Sequence, residues 1–300
     1  MKSGFVVLVG RSNVGKSTLL NTLVGTKIAA TSFRAQMTRH IIHGVLNRPE
    51  GQAIFVDTPG VFKDRRNPLT AKLTNKVKDA LQGIDVIVYV VDPSRDIGDE
   101  ERAVYGMIRH LKKPKILVIN KSDLHPKERE FESSYEYWTS DFDAVLHLSA
   151  LRGSHIEPLK NKVMELLPEG EPLYPAEQLT NLDHYFWIAE IIREKVYSVF
   201  DKEVPYSITV EVDNVEEKEA ETKNNVEKPL ETATGKPVVM VISARILTNE
   251  ERYKKIIIGR GGAKIKEIGV MARRELETAT NKKIYLELEV AVDSHWVERV

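Results

Sequence analysis

Residues Gly10-Arg-Ser-Asn-Val-Gly15-Lys16-Ser17 follow a strand-like apolar run, Phe5 to Val9, and lead directly into a segment of helical period from Lys16 to Leu23. The spacing GxxxxGK[ST] between a strand and a helix defines a phosphate-binding loop, and no other feature of the chain restricts its fold as much. Glycines let backbone N–H groups converge on phosphate oxygens, and the helix N-terminus adds a favourable dipole. A lysine at this position neutralises β and γ phosphates, and the following hydroxyl ligates Mg²⁺. Gly10, Arg11, Ser12, Asn13, Val14, Gly15, Lys16, Ser17 and the adjoining Thr18 are therefore the expected phosphate contacts. Arg11 is expected to face solvent rather than to act as an arginine finger.

The chain around this loop alternates short apolar runs with helical segments, the pattern of a parallel sheet covered on both faces. Strands are predicted at Phe5 to Val9, His40 to Leu46, Ala53 to Val56, Val86 to Val91, Ile116 to Ile119 and Val145 to Leu148. Helices are predicted at Lys16 to Leu23, Pro68 to Leu81, Asp99 to Leu111, Pro126 to Phe142 and Ile156 to Leu167. The fold class is thus α/β, a six-stranded, mostly parallel, doubly wound sheet flanked by helices, over residues 1–168. Pro168-Glu-Gly-Glu-Pro172 and Pro175 mark a linker over 169–181. Residues 182–300 form a second, α+β domain: a helix (Leu182 to Phe200), two strands (Tyr206 to Val212, Val238 to Leu247), a glycine loop, a long helix (Ala263 to Thr280) and a last strand (Ile284 to Val292). Between its first two strands, residues 213–236 carry many Glu, Lys, Asn and Thr and few large apolar groups, and are expected to form a flexible acidic hairpin extension.

Composition narrows the function classes. The 44 basic and 44 acidic residues cancel, so charge-driven binding must come from local clusters, and the absence of cysteine excludes disulfides and thiol chemistry. No apolar run approaches the roughly 18 residues of a membrane span, and no signal-peptide pattern leads the chain. The protein is read as cytoplasmic, with an organellar matrix and peripheral membrane contact left open, and as a monomer.

Three further motifs complete a guanine-nucleotide site. Asp57-Thr58-Pro59-Gly60 ends the third strand, where the carboxylate reaches Mg²⁺ through water and the Gly60 amide faces a γ-phosphate. Asn120-Lys121-Ser122-Asp123 closes the fifth strand, and the Asp123 carboxylate can accept both hydrogen bonds of the guanine N1–H and 2-amino edge. Adenine lacks that pair of donors, so GTP and GDP are the expected nucleotides. Ser149-Ala150-Leu151, after the sixth strand, is the expected backbone contact to the base. Val61 stands where related enzymes place a water-orienting glutamine, so intrinsic hydrolysis is expected to be slow.

The second domain holds Gly259-Arg260-Gly261-Gly262 between two helices. From Arg252 to Arg274 eight basic residues face one acid, Glu267. Glycines there admit a nucleic-acid backbone, and the following helix, from Ala263, points its N-terminus at a phosphate. Ile258, Ile265 and Ile268 are expected to floor an apolar groove for bases, with Arg260, Lys264 and Lys266 on phosphates.

The run GRSNVGKSTLLNTLVG with RAQMTRH and DTPGV resembles the Era family of GTPases, of the translation-factor-like branch. The order helix, strand, strand, helix, GxxG, helix, strand resembles that family's type II KH domain. This resemblance implies a GTPase in which Thr38 ligates Mg²⁺ in the GTP state, Lys16, Thr38, Asp57 and Gly60 serve hydrolysis, and Asn13 helps to hold K⁺. It also implies single-stranded RNA of about four nucleotides, the 3′ end of small-subunit ribosomal RNA, as ligand, and a role in small-subunit assembly. Lys63, Arg65 and Arg66 are expected to pair with the second domain or RNA when GTP is bound. Two rival readings are a membrane-associated or regulatory GTPase whose basic cluster binds protein or lipid, and a scaffold that scarcely turns GTP over.

Overall fold

A computed structural model describes residues 1–31, 37–60, 68–201, 203–219 and 238–296. Val61, Lys63, Arg65 and Arg66, to which the sequence assigned roles, lie outside the described residues, as does most of the acidic segment. The chain divides into two compact units, Met1–Leu182 and Asp183–Val300.

In the first unit, β1 (Lys2–Val9), β2 (Ile42–Arg48), β3 (Gly51–Asp57), β4 (Val86–Val91), β5 (Lys115–Ile119) and β6 (Ala144–His147) form one sheet in the order β2-β3-β1-β4-β5-β6. β2 runs antiparallel to β3, and every other neighbouring pair is parallel. Strand periodicity separates two cores. Val6 and Leu8 of β1, with Val86, Val88 and Val90 of β4, pack beneath α1 (Lys16–Val24) and α4 (Ile156–Leu166) through Leu19, Leu23, Leu159 and Val163. Their alternates Val7, Val9, Ile87, Tyr89 and Val91 face α2 (Pro68–Ala80) and α3 (Asp99–Ile108) through Val77, Val104 and Ile108. Burial on both faces explains why these strands read as unbroken apolar runs. Sequential order reverses at β1, so the loop after it opens at the switch point where doubly wound sheets bind ligands.

Two expectations are corrected. Pro126 to Phe142 is not an α-helix but two 3₁₀ segments, Pro126–Glu128 and Glu132–Asp141. The reason is a spacing of three: Glu132 bonds Arg129, Tyr135 is buried, Trp138 stacks on Tyr105 at 4.2 Å, and Asp141 accepts from the Tyr105 hydroxyl. In a 3₁₀ turn residues three apart eclipse, so all four share one face. The predicted linker is a strap on the first unit. Gln52 Oε1 accepts from the Leu173 and Tyr174 amides at 2.7 and 2.9 Å, and its Nε2 donates to the Tyr174 carbonyl at 2.8 Å. The Val45 amide of β2 then donates to Leu179 O at 2.9 Å, covering a sheet edge.

The second unit begins with α5 (His184–Val199), whose N-cap Asp183 accepts from the Phe186 amide at 2.7 Å. β7 (Ile208–Glu219) pairs antiparallel with β8 (Val238–Thr248), and β8 pairs parallel with β9 (Lys283–Val292). β7 continues past Val212 to Glu219 through an irregularity at Val212/Asn214, so the first residues of the predicted flexible extension are paired strand. α6 (Glu251–Ile258) and α7 (Ala263–Thr280) complete the unit, with Ile268, Ala272 and Leu276 of α7 packed against Ile192, Ile242 and Ile246.

Candidate nucleotide site and nucleic-acid interface

The loop between β1 and α1 carries two residues in left-handed backbone, Asn13 at φ 63° and Gly15 at φ 99°. At Gly15 a side chain is excluded twice: by φ, and because a Cβ would meet Asn120 Nδ2 at 2.4 Å. Lys16 is buried and its Nζ donates to the carbonyls of Gly10 and Arg11, each at 3.0 Å. Burial pushes its pKa down, against the attraction of the Asp57 and Glu101 carboxylates.

Asp57, Ser17 and Thr38 converge at the C-terminal end of β3. Ser17 Oγ donates to Asp57 Oδ2 at 2.5 Å and lies 2.9 Å from Thr38 Oγ1. With the Ser17 proton committed to the carboxylate, the Thr38 hydroxyl donates to Ser17. Burial lifts the Asp57 pKa from 3.8 to about 6, opposed by Lys16 and the Ser17 hydrogen bond. Its Oδ1 is buried without a hydrogen-bond partner. A carboxylate and two hydroxyls around an orphaned buried oxygen are the hard donors that suit Mg²⁺. Thr58 Oγ1 donates to Leu8 O at 2.9 Å, and a Cβ on Gly60 would lie 2.7 Å from Ser12 Cα, so the Asp57 to Gly60 turn closes against the phosphate loop.

Asn120 joins the loops. Its Nδ2 donates to Val14 O at 2.8 Å and its Oδ1 accepts from the Ala150 amide at 2.9 Å. Asp123 is exposed, and its Oδ1 accepts from Ser149 Oγ at 2.5 Å, which aims the carboxylate beside the Ser149 to Leu151 turn. The Leu151 side chain is exposed, so the turn offers backbone rather than an apolar contact. Lys121 Nζ bonds Asp92 Oδ2 at 2.5 Å. Asp92 had no sequence signal beyond its place at the end of β4.

Arg11 corrects an expectation. It is buried, not solvent-facing: its guanidinium donates to Asp96 O, Arg95 O and Asp92 O at 2.8, 3.1 and 3.3 Å and pairs with Glu101 at 2.9 Å. The side chain is thereby held on the β4–α3 connection.

In the second unit Gly259 ends α6 at φ 72°, and Gly261 and Gly262 turn the chain at φ 60° and 78° before Ala263 opens α7. A Cβ on Gly261 or Gly262 would meet nothing within 4 Å, so the tip is open, whereas one on Gly259 would strike Lys264. Arg260 and Lys266 are exposed, Ile258 and Ile265 half-buried. Ile268 is completely buried, because it lies four residues before Ala272 on the core face, and it cannot floor a groove. Lys264 pairs with Glu267 at 2.9 Å, so a phosphate would compete with that exposed bond. A groove of about 380 Å³ does run beside α7, lined by Ile265, Lys266, Val270, Arg273, Tyr285 and Leu288. Tyr285 was missed because it points outward on an edge strand, where an exposed aromatic has no sequence signature. No described helix is long and apolar enough to cross a membrane.

Comparison with known proteins gives the same two parts. The family model described as 50S ribosome-binding GTPase matches residues 5–121, and the KH domain model matches 221–297. GTPase Era of Halothermothrix orenii is 38% identical over 298 residues, 99% of this chain and 95% of the relative. A crystal structure of Era with MgGDPNP and nucleotides 1506–1542 of 16S ribosomal RNA is 35% identical, with TM-score 0.85 over 100% of this chain and 96% of that one. A substituted Era of Aquifex aeolicus bound to GDP·AlF4⁻ is 36% identical with the same TM-score and coverage.

Proposed function

This chain belongs to the Era family of GTPases, and from that membership we propose that it is a GTP-driven switch that clamps the 3′ end of small-subunit ribosomal RNA during assembly of the small ribosomal subunit. The observation that carries the reading is the convergence of Ser17, Thr38 and Asp57 at hydrogen-bond distance, with Lys16 buried beside them. Ser17 and Thr38 would hold Mg²⁺ directly and Asp57 through water. An ion held there would supply positive charge to the phosphate oxygens. Lys16 would exchange its two carbonyl partners for β and γ oxygens, and Gly60 would offer its amide to the γ-phosphate. Asp123 would read the guanine edge, with the Ser149 to Leu151 backbone beside it.

In this reading Thr38 and Gly60 are drawn onto the γ-phosphate while GTP is bound and are released with phosphate. Asn13, at the apex of the loop, would help to hold a K⁺ ion, which predicts faster turnover in KCl than in NaCl. The glycine turn from Gly259 to Gly262 would admit RNA backbone, Arg260, Lys264 and Lys266 would meet phosphates, and Ile258 and Ile265 would lie under the bases. The site of action is the cytoplasm and the working species a monomer. Titrating a fluorescent GDP in Mg²⁺, then competing with GTP or ATP, tests the first half: GTP displaces it and ATP does not. A single-stranded RNA copying the 3′ end of 16S ribosomal RNA, set beside a scrambled strand and anionic vesicles, tests the second. Equal binding of both strands, or binding to vesicles alone, contradicts the proposal.

A further inference from the structure

Beneath the phosphate loop lies a buried polar cluster that the roles above do not use. Glu101, in the first turn of α3, is fully buried. Its Oε1 accepts from the Tyr89 hydroxyl of β4 at 2.5 Å, and its Oε2 accepts from the Tyr135 hydroxyl at 3.2 Å and faces Arg11 Nε at 2.9 Å. Both tyrosines are fully buried, and Arg11 is 5% exposed. An ion pair out of water is costly to make and costlier to break, so both partners are held to one geometry.

That geometry reaches the nucleotide site at one remove. The Arg11 carbonyl is one of the two acceptors of Lys16 Nζ, so the guanidinium anchored on Glu101 sets the position of a backbone group in contact with the phosphate-binding lysine. The same β4–α3 connection holds the next residue, because Arg95 Nη2 donates to Ser12 O at 2.8 Å. It also holds the other half of the site, since Asp92, whose carbonyl accepts from Arg11, receives the Lys121 ammonium at 2.5 Å. An anion site made of backbone N–H groups depends on where its turn is held.

We propose that Glu101 is a positioning residue for nucleotide binding, acting through Arg11 to fix the first turn of the phosphate loop against the β4–α3 connection. The inference rests on the guanine-nucleotide reading of this site. The test uses the full chain carrying Glu101→Gln, Arg11→Ala or both, and measures release of a fluorescent GDP, steady-state GTP hydrolysis in Mg²⁺, and thermal unfolding without nucleotide. Glu101→Gln is expected to speed GDP release about tenfold, about 1.4 kcal/mol. KM rises by a similar factor while kcat stays within about threefold, because the groups that act on the γ-phosphate are intact. In the double variant Glu101→Gln adds less than about twofold to Arg11→Ala, as expected for residues acting in series. Release within about twofold of wild type in a folded Glu101→Gln protein, or effects that multiply in the double variant, overturns the proposal. If Glu101→Gln does not fold, Tyr135→Phe removes one donor to the carboxylate instead: release about threefold faster supports the proposal, and unchanged release overturns it. A wild-type chain without affinity for GDP would sink the underlying nucleotide reading, an outcome separate from these.

Discussion

Burial lifts the Asp57 carboxyl from 3.8 to about 6, so the charge that Mg²⁺ would use is one that folding disfavours. Between those two values the folded chain binds more protons at Asp57 than the unfolded chain, and stability falls as pH rises through that window, by up to about 3 kcal/mol. Asp57→Asn keeps an acceptor for the Ser17 hydroxyl and removes the buried charge. It is expected to raise the unfolding free energy of the nucleotide-free protein at pH 7.5 by about 1–3 kcal/mol, less what Lys16 loses, with a higher melting temperature, to flatten the dependence of stability on pH between 4 and 6, and to abolish Mg²⁺-dependent GTP binding. Calorimetry across pH, with and without MgGTP, reads both effects. Asp123 is the converse case, exposed and, among the described residues, bonded to Ser149. Asp123→Ala should leave the melting temperature almost unchanged and weaken GDP binding about 100-fold, from two lost charge-assisted bonds. Both residues were legible because each stands in a motif at the end of a strand. Arg11 and Glu101 were not, because whether a charged side chain turns inward depends on partners about 90 residues away in sequence.

Elements whose core faces follow one period were readable, and β1, β4 and α1 fall within a few residues of expectation. Those shaped by tertiary partners were not. Glu132 to Asp141 contains a helix-length stretch without a breaker, yet Tyr135, Trp138 and Asp141 meet the neighbouring Tyr89, Tyr105 and Glu101 only at a spacing of three. The strap over 169–181 is held at Leu173 and Tyr174 by a buried amide, Gln52, whose four bonds to Asn47, Leu173 and Tyr174 give a polar residue on a central-looking strand its purpose. Gln52→Ala leaves the Leu173 and Tyr174 amides short of an acceptor, a cost of about 1–3 kcal/mol. Limited proteolysis of that variant is expected to cut within residues 169–181 well before the rest of the first unit. Cleavage unchanged from wild type would mean that the β2 edge bonds alone hold the strap.

At the scale of the whole molecule, each unit owns its apolar packing: two clusters on the two faces of the six-stranded sheet in the first unit, and one cluster against the three-stranded sheet in the second. Every group assigned to the nucleotide lies in residues 10–151, inside the first unit. Residues 1–182 produced alone are therefore expected to bind GDP within about threefold of the full chain, checked by the same fluorescent titration, and to lose RNA binding. Gly261 and Gly262 present an open tip in which an aspartate has room, at a backbone angle that Asp tolerates better than most residues. The added carboxylates would repel phosphate without disturbing the core. The most direct test of a nucleotide-switched RNA clamp is crosslinking and sequencing of RNA bound to wild type and to the Gly261→Asp, Gly262→Asp protein, each loaded with a GTP analogue or GDP. The account predicts a single segment at the 3′ end of small-subunit ribosomal RNA, enriched with the GTP analogue and absent from the variant. Recovery of the same diffuse RNA by both proteins in both states would contradict it.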